Sequence, residues 1–348
     1  MDKFIKIPKF MVLFTLYLIL TWNFEFIGSS ILMYYENVNA PILLLIIILT
    51  TLLLIGILKF TNTNLLLKIK ENRIYQITTS LYLIISIVFS LFVLTIIFRN
   101  WFYMKTPIYV LLFLFIGIIM IIHRNLRFIF YFGFYLGIIF LLLNFLPIFC
   151  ANERNITFLN YIDFKFSKFW IIFSSLYILL DVLVYLPLNN HFSTPITKQD
   201  LLIMVIFSGI SALLMMLDNY LFLLPDTFSF YSQPALLKYR IYQLDPIGES
   251  LDFLIIIDII YLLIIKNSLS LFLIKNYQEL KSKSINYLLI FSLLFITTYI
   301  LIHMKNYHLV NIVLGIALSI LILIYYIIIS IIFWRSKKYE KWFTLWCY

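Results

Sequence analysis

The chain has 348 residues, of which 64% are hydrophobic and only 12% are charged, and its formal net charge is +10 at pH 7. Soluble domains are about a quarter charged, so this composition excludes an ordinary water-soluble fold and predicts an integral membrane protein. Lipid cannot satisfy open backbone groups, and the apolar stretches are continuous rather than alternating, so we predict transmembrane helices.

Ten apolar stretches of about twenty residues, long enough to cross a bilayer, follow one another along the chain. The predicted spans are 10–34, 40–60, 74–98, 107–122, 126–149, 167–189, 199–224, 251–275, 285–304 and 309–334. The fourth span is short and is expected to be tilted or partly re-entrant. We therefore predict one all-α transmembrane domain, residues 1–348, with about ten helices.

The basic residues are distributed unevenly between the two faces of this arrangement. With ten spans, the termini and the even-numbered loops carry 18 of the 26 lysines and arginines. The positive-inside rule then places both termini in the cytoplasm, and Lys266 is assigned to a basic cytoplasmic loop, 266–284. A basic surface facing anionic lipid explains the net charge, so no nucleic-acid partner is predicted.

The ten spans suggest an inverted repeat of five plus five helices, about 10–149 and about 167–334. Transporters built this way bind their ligand where the first helix of each repeat is broken. The first span contains Glu25 and the sequence Gly28-Ser29-Ser30, and the sixth contains Asp181 before Pro187. Broken half-helices could hold a small zwitterion or cation. A mild bend or a glycine used for close packing is the alternative.

Polar side chains recur at helical spacing within four spans, each set on one face. The four sets are Trp22, Glu25 and Ser29; Thr79, Tyr82, Ser86 and Ser90; Ser174, Tyr177 and Asp181; and Asp258 with Tyr261. An acid inside a span is costly, so it is expected to face a cavity or a partner. We predict that the sets converge on one polar cavity, although interhelical packing remains open for any single hydroxyl. The predicted ligand-binding residues are Trp22, Glu25, Gly28, Ser29, Ser30, Tyr82, Ser86, Tyr177, Asp181 and Asp258.

Motifs of cofactor-dependent and metal-dependent enzymes are missing from the sequence. It has no P-loop, no G-x-S-x-G, no Gly-rich dinucleotide turn and no metal-spaced His/Cys cluster. Cys150 and Cys347 are predicted on opposite sides of the membrane, so they form neither a disulfide framework nor a metal site. No catalytic residue, cofactor or metal is therefore predicted, and the chain is not expected to be an enzyme.

Four segments, in order along the chain, resemble the ten-span B subunits of bacterial spore germinant receptors, the GerAB-type spore germination family. IGSSILMYYENVNAP is similar to the first-span glycine and the turn into the second span. MKTPIYVLLFLFIGIIMIIHRNLRF is similar to the Thr-Pro start of span four and the following arginine, here Arg127. DVLVYLP resembles the acid and proline that end span six. QPALLKYRIYQLDPIGESLDFL resembles the outer loop before span eight.

The resemblance covers almost the whole chain, with departures. Ser250 replaces the arginine of the family's E-R-x-D/E pattern, between Glu249 and Asp252. The resemblance implies the LeuT-like fold of the amino acid–polyamine–organocation transporter superfamily, with broken helices 1 and 6. It also implies an inner spore-membrane subunit that senses a small nutrient, often an amino acid, together with A-type and C-type partner subunits.

Two other functions remain open. The first is an amino-acid or cation transporter of the same superfamily, which the sequence hardly separates from a sensor. The second is a membrane glycan enzyme with an outer catalytic loop at 225–250, in which Lys238, Arg240 and Asp245 would bind an anionic lipid-linked sugar.

Overall fold

A computed structural model of the chain describes residues 7–22, 73–102, 107–150, 196–222, 252–278 and 283–303, with isolated positions among residues 45–56 and at 184, 320 and 324. Apart from short connecting turns, these residues are helical, and none of them is in a β-strand. The all-α class predicted from the sequence is therefore confirmed for this part of the chain.

Seven helices are described, and each coincides with a predicted span. They are α1 (Lys9–Trp22), α2 (Arg73–Phe102), α3 (Ile108–Ile122), α4 (Leu126–Cys150), α5 (Lys198–Phe222), α6 (Asp252–Gln278) and α7 (Lys283–His303). They correspond to predicted spans one, three, four, five, seven, eight and nine, with α1 described over the first half of its span. Most of spans two, six and ten lies outside the described residues, so the ten-span repeat stays a prediction.

The connection between α3 and α4 is short and sharply bent. Pro107 precedes α3, where its missing N–H costs nothing. Asn125 caps α4, because its side-chain oxygen accepts a hydrogen bond of 3.2 Å from the backbone N–H of Phe128. The two helices meet at a bend of 113°. The 15 residues of α3 rise about 1.5 Å each, so α3 is shorter than a bilayer core of about 30 Å.

Helix α6 occupies the centre of the described bundle. Every residue from Tyr261 to Leu271 is buried, which is the property of a helix surrounded on all sides. Its neighbours are chiefly α2, α4 and α3, and it touches α1 more slightly. The assignment of Lys266 to a cytoplasmic loop is wrong, because α6 continues to Gln278 and Lys266 lies in its buried middle.

Helix α1 packs closely against α4 through two glycines. A Cβ atom at Gly137 would overlap Leu18 Cδ1 and lie 2.9 Å from Phe14 Cε1, and one at Gly133 would lie 2.8 Å from Thr15 Oγ1. Small residues let helix backbones approach closely, and they are enriched where helices pack against each other in a membrane. These contacts place the middle of α1 against the first half of α4.

Helix α1 also runs parallel to α5, as contacts at two levels show. Near the start of both helices, Lys9 forms an ion pair with Asp200. Eight residues further along α1 and eleven further along α5, the Tyr17 hydroxyl lies 2.7 Å from the Ser211 hydroxyl. Both contacts advance along the two helices in the same direction.

Helix α6 runs antiparallel to α4. Near the start of α6, the Tyr261 ring packs edge-on against Phe132, with ring centroids 4.5 Å apart, and the Tyr261 hydroxyl donates a hydrogen bond to the Phe132 carbonyl. Near the end of α6, Lys275 is close enough to His123 for its positive charge to lower the pKa of that histidine, which lies just before α4 begins.

The first turn of α5 is closed by a reciprocal cap. The Thr197 N–H donates to Asp200 Oδ2 at 2.7 Å, and the Asp200 N–H donates to Thr197 Oγ1 at 3.3 Å.

We expect Asp200→Ala to lower the free energy of unfolding by about 1 to 2 kcal/mol, because it removes a cap and an ion pair. Thermal unfolding of the detergent-solubilised protein checks this. Lys9→Gln, which removes only the partly exposed ion pair, should cost less than about 1 kcal/mol; equal losses would assign the whole effect to the ion pair.

By length and composition, one stretch among the described residues, Ile259–Asn276, could cross a membrane alone, and α3 with α4 could do so as a bent pair. The core helix of a soluble protein meets the same criterion, so the side chains on the surface of the bundle are a better indicator of a membrane location. Large apolar side chains are exposed on several helices, including Phe113, Ile121, Leu142 and Phe207. Soluble monomers rarely expose large apolar patches, and these side chains are compatible with a surrounding membrane.

Candidate functional site

The structure describes two of the ten predicted ligand-binding residues with their side chains. Tyr82 and Ser86 lie on α2, and each is 1% exposed. Trp22, the last residue of α1, and Asp258, in the second turn of α6, are described as helical backbone only. The remaining six lie outside the described residues: Glu25, Gly28, Ser29, Ser30, Tyr177 and Asp181. The predicted convergence of four spans on one cavity therefore stays a prediction.

The polar side chains of α2 form a buried stripe. We call Thr79, Tyr82, Ser86 and Ser90 the polar stripe of α2; all four are buried. They lie opposite Ile77 and Leu81, which are exposed, as their spacing predicts for a helix. The helix that covers α2 most extensively is α6. The polar stripe is therefore placed in the interior.

Several hydroxyls of α2 bond to their own helix. Ser90 Oγ donates to the Ser86 carbonyl at 2.8 Å, and Thr95 Oγ1 donates to the Leu91 carbonyl at 2.7 Å. Such bonds satisfy a hydroxyl without a ligand, so packing accounts for these two. The Thr79 hydroxyl, by contrast, is buried with no hydrogen-bond partner in the described part of the chain.

A second polar group in the interior lies in the middle of α6, where the sequence prediction placed the start of a loop. Lys266, Asn267, Ser268 and Ser270 are each at most 1% exposed. Ser270 Oγ donates to the Lys266 carbonyl at 2.9 Å. Among the described residues, neither Asn267 nor Ser268 has a side-chain hydrogen-bond partner. The sequence signal was available, because Leu269, Leu271 and Leu273 continue the apolar run beyond Lys266.

His123, in the turn before α4, is a buried histidine. It has no exposed surface. The pKa of His123 is lowered from 6.5 to about 4, chiefly by burial and also by the positive charges of Lys275 and Arg124, while hydrogen bonds with the backbone of Met120 and Ile119 oppose this shift. The imidazole is therefore neutral at neutral pH.

The depressed pKa of His123 makes the folded protein acid-sensitive. Between pH 6.5 and 4 the unfolded imidazole takes up a proton and the folded one does not, so the free energy of unfolding falls as the pH falls. We expect a loss of roughly 2 to 3 kcal/mol between pH 7 and 4.5, at about 1.4 kcal/mol per unit of pKa. Thermal unfolding at the two pH values measures it. His123→Gln should flatten this dependence, whereas His303→Gln, at an exposed histidine, should not; identical slopes would refute the assignment to His123.

The described interior contains polar side chains on two helices that are in extensive contact, α2 and α6. Among the described residues, no three His, Cys, Asp or Glu side chains are grouped so as to hold a metal ion. The buried polar groups on α2 and α6 are hydroxyls, an amide and a lysine amine, all of which take part in hydrogen bonds. No protein-family model matches the chain, and no curated protein is significantly similar to it.

Proposed function

We propose that this chain is the ligand-binding membrane subunit of a nutrient receptor of the spore germinant type, and that it binds a small nutrient between its helices. The observation that supports the proposal is the burial of polar side chains on α2 and α6, two helices in extensive contact, and among them Thr79, Asn267 and Ser268 have no side-chain hydrogen-bond partner in the described part of the chain. Burying polar side chains costs free energy unless they find partners. A receptor for a small polar molecule accounts for such a cost.

The membrane location is supported by the contrast between the surface and the interior. Exposed positions such as Phe113 and Phe207 are large and apolar, whereas Ser86 and Asn267, in the interior, are polar. This distribution suits a bundle in lipid, where polar groups turn inwards. Cytoplasmic termini and an inner spore-membrane location are part of the proposal and rest on the distribution of basic residues in the sequence.

The ten-helix arrangement, a five-plus-five repeat with broken helices 1 and 6, is likewise proposed. The helix directions support it. Helices α1 and α5 run parallel and both correspond to odd-numbered spans, while α6, an even-numbered span, runs antiparallel to α4, an odd-numbered one. Successive spans must alternate in direction, so these four helices follow the proposed numbering.

The proposed partners are a small nutrient, which the resemblance suggests is an amino acid, and A-type and C-type receptor subunits. Binding of the nutrient would favour one of two conformations of the subunit, and the complex would pass that change to the rest of the germination machinery. The chain needs no cofactor and no catalytic residue for this role.

Deletion of the gene from the organism that carries it tests the proposed function. Spores of the deletion strain should fail to germinate with one class of nutrient, still germinate with unrelated triggers, and recover when the gene is restored. Normal germination with every nutrient would contradict the proposal. Uptake of labelled amino acid by proteoliposomes containing this chain alone would instead identify a transporter.

A further inference from the structure

Helix α4 divides its side chains between a buried side and an exposed side. The buried side contains Ile129, Phe130 and Phe140, together with the two glycines that meet α1. The exposed side begins at Arg127 in the first turn. Its residues fall within a sector of about 120° at 3.6 residues per turn. We call this side the outer face of α4; after Arg127 it consists of Phe128, Tyr131, Tyr135, Ile138, Ile139 and Leu142.

The side chains of the outer face change in chemical character along the helix. A cationic residue comes first, three aromatic residues follow, and three aliphatic residues come last. Cationic and aromatic side chains are typical of the membrane surface, and aliphatic ones are typical of the hydrocarbon layer. The outer face therefore follows the order of a phospholipid, from phosphate through glycerol to acyl chains.

The length of the outer face matches one leaflet of a bilayer. From Arg127 to Leu142 the helix rises about 22 Å, at about 1.5 Å per residue. Half of a bilayer, measured from its centre to the outside of the headgroups, is about 20 to 22 Å thick. A phospholipid that lies along α4 would therefore have its phosphate beside Arg127 and the ends of its acyl chains near Leu142.

Positive charge is concentrated at the Arg127 end of the outer face. Within the described part of the chain, the Arg127 side chain takes part in no hydrogen bond or ion pair. Arg124 is exposed just before α4 begins. Lys275, in the last turn of α6, is close enough to the α3–α4 turn for its charge to act on His123. An anion beside Arg127 therefore lies in a positive potential.

Few acidic side chains oppose this positive charge. The sequences of α3 and α4 contain neither aspartate nor glutamate. The two acids of α6, Asp252 and Asp258, lie in its first two turns, far from its last turn. The sequence just after α6 adds two lysines against a single acid, Glu279. The surroundings of Arg127 thus favour a ligand with net negative charge.

We infer that the outer face of α4 binds one anionic phospholipid of the adjoining leaflet, with its phosphate beside Arg127 and its acyl chains along Ile138, Ile139 and Leu142. A guanidinium can bind a phosphate through two parallel hydrogen bonds, and it keeps its charge. A zwitterionic lipid would bring its ammonium group close to positive charges, and neither α3 nor α4 offers it a carboxylate. The lipid is distinct from the nutrient of the proposed function, because it lies on the outside of the bundle.

Native mass spectrometry of the purified full-length chain in a neutral detergent measures the lipid preference. The probes are dioleoyl phosphatidylglycerol, which is anionic, and dioleoyl phosphatidylcholine, which has the same chains and no net charge. We expect the first phosphatidylglycerol molecule to bind at least fivefold more tightly than the first phosphatidylcholine molecule. Glycerol 3-phosphate, which has the phosphate but no acyl chains, should not displace it at an equal concentration. These comparisons need no variant protein.

Variants of two basic residues test the position of the phosphate. Arg127→Gln should weaken binding of phosphatidylglycerol at least fivefold and change binding of phosphatidylcholine less than twofold. Lys9→Gln also removes one positive charge from the predicted cytoplasmic face, and it should change neither affinity more than twofold. If Arg127→Gln does not fold, Arg127→Lys against Lys9→Arg gives the same comparison, with weaker binding expected only at position 127.

Two equally exposed aromatic residues test the apolar part of the outer face. Tyr135 on α4 and Phe207 on α5 are each 61% exposed. Tyr135→Ser should weaken binding of phosphatidylglycerol at least threefold, because it removes apolar contact along the lipid. Phe207→Ser, which removes a similar area from another helix, should leave the affinity within twofold of the parent chain.

Four results would overturn the inference. Equal affinity for the two lipids would show no preference for an anionic headgroup. Equal effects of Arg127→Gln and Lys9→Gln would show a diffuse attraction by the basic surface rather than a site. Displacement by an equal concentration of glycerol 3-phosphate would assign the site to a soluble phosphate compound. Equal losses from Tyr135→Ser and Phe207→Ser would show that the lipid does not lie along α4.

Discussion

Replacement of Gly137 by leucine is expected to destabilise the protein strongly, because it separates α1 from α4. A Cβ atom at this position would already overlap Leu18 and approach Phe14 to 2.9 Å, and leucine adds three further carbons. Overpacking of an interior costs roughly 1–3 kcal/mol and sometimes more. We expect a loss at or above the upper end of that range, seen as a lower melting temperature and a smaller yield of monodisperse protein in detergent.

Gly117 provides the matched control for this prediction. It lies in α3, and a Cβ atom there would meet nothing within 4 Å. Gly117→Leu should therefore leave the melting temperature nearly unchanged or raise it, since leucine favours helix more than glycine does. Equal losses from the two substitutions would show that the close approach of α1 and α4 is not what Gly137 provides.

Replacement of Asn267 by leucine is expected to make the protein more stable and to weaken its ligand binding. The Asn267 amide is buried and has no side-chain partner among the described residues. An unsatisfied buried polar group costs about 1–3 kcal/mol, and leucine, of similar size, removes that cost. We expect Asn267→Leu to raise the free energy of unfolding of the ligand-free protein by about that amount, and to weaken binding of the proposed nutrient at least tenfold.

Thr297→Val on α7 is the control for removing a polar group. The Thr297 hydroxyl already donates to the Leu293 carbonyl at 2.6 Å, so its loss should bring no gain in stability and no change in binding. If Asn267→Leu destabilises the protein while binding stays normal, the amide has a structural role, and the reasoning from its burial is wrong.

The helices themselves were predictable from the sequence. Long apolar runs bounded by charges or proline predict both the presence of a helix and its ends. Helix α3 was predicted over 107–122 and is observed at Ile108–Ile122. The spacing of Tyr82 and Ser86 also predicted one common face, and both are buried. Periodicity fixes which residues share a side of a helix.

The packing of the helices was not predictable in the same way. Nothing in the first span indicated that α1 lies against α4 and α5, because the close contacts depend on single glycines such as Gly133 meeting Thr15. Lys266 was misassigned for a related reason. A lysine that follows an apolar run resembles the end of a span, even though the apolar run resumes at Leu269, and the surrounding helices show that Lys266 is buried.

The most conspicuous predicted features remain predictions. Glu25 and Asp181, the acids of the proposed broken helices, lie outside the described residues. In the part of the chain that the structure describes, buried polar side chains lie instead on α2 and α6, which correspond to spans three and eight. These two helices were among the four expected to contribute polar faces, and they are in extensive contact.

The central claim is that water and ligand reach the polar interface between α2 and α6, and accessibility of a cysteine at position 86 tests it most directly. Ser86→Cys and Leu81→Cys would be made in a chain whose Cys150 and Cys347 are replaced by serine, and treated in membranes with a small water-soluble methanethiosulfonate. A thiol reacts as the thiolate, which forms in polar surroundings and not in lipid. The account predicts that buried Ser86→Cys reacts, is protected by the bound nutrient, and reacts faster than Leu81→Cys, although Leu81 is 49% exposed on the surface of the bundle. Reaction at position 81 with none at position 86 would contradict it.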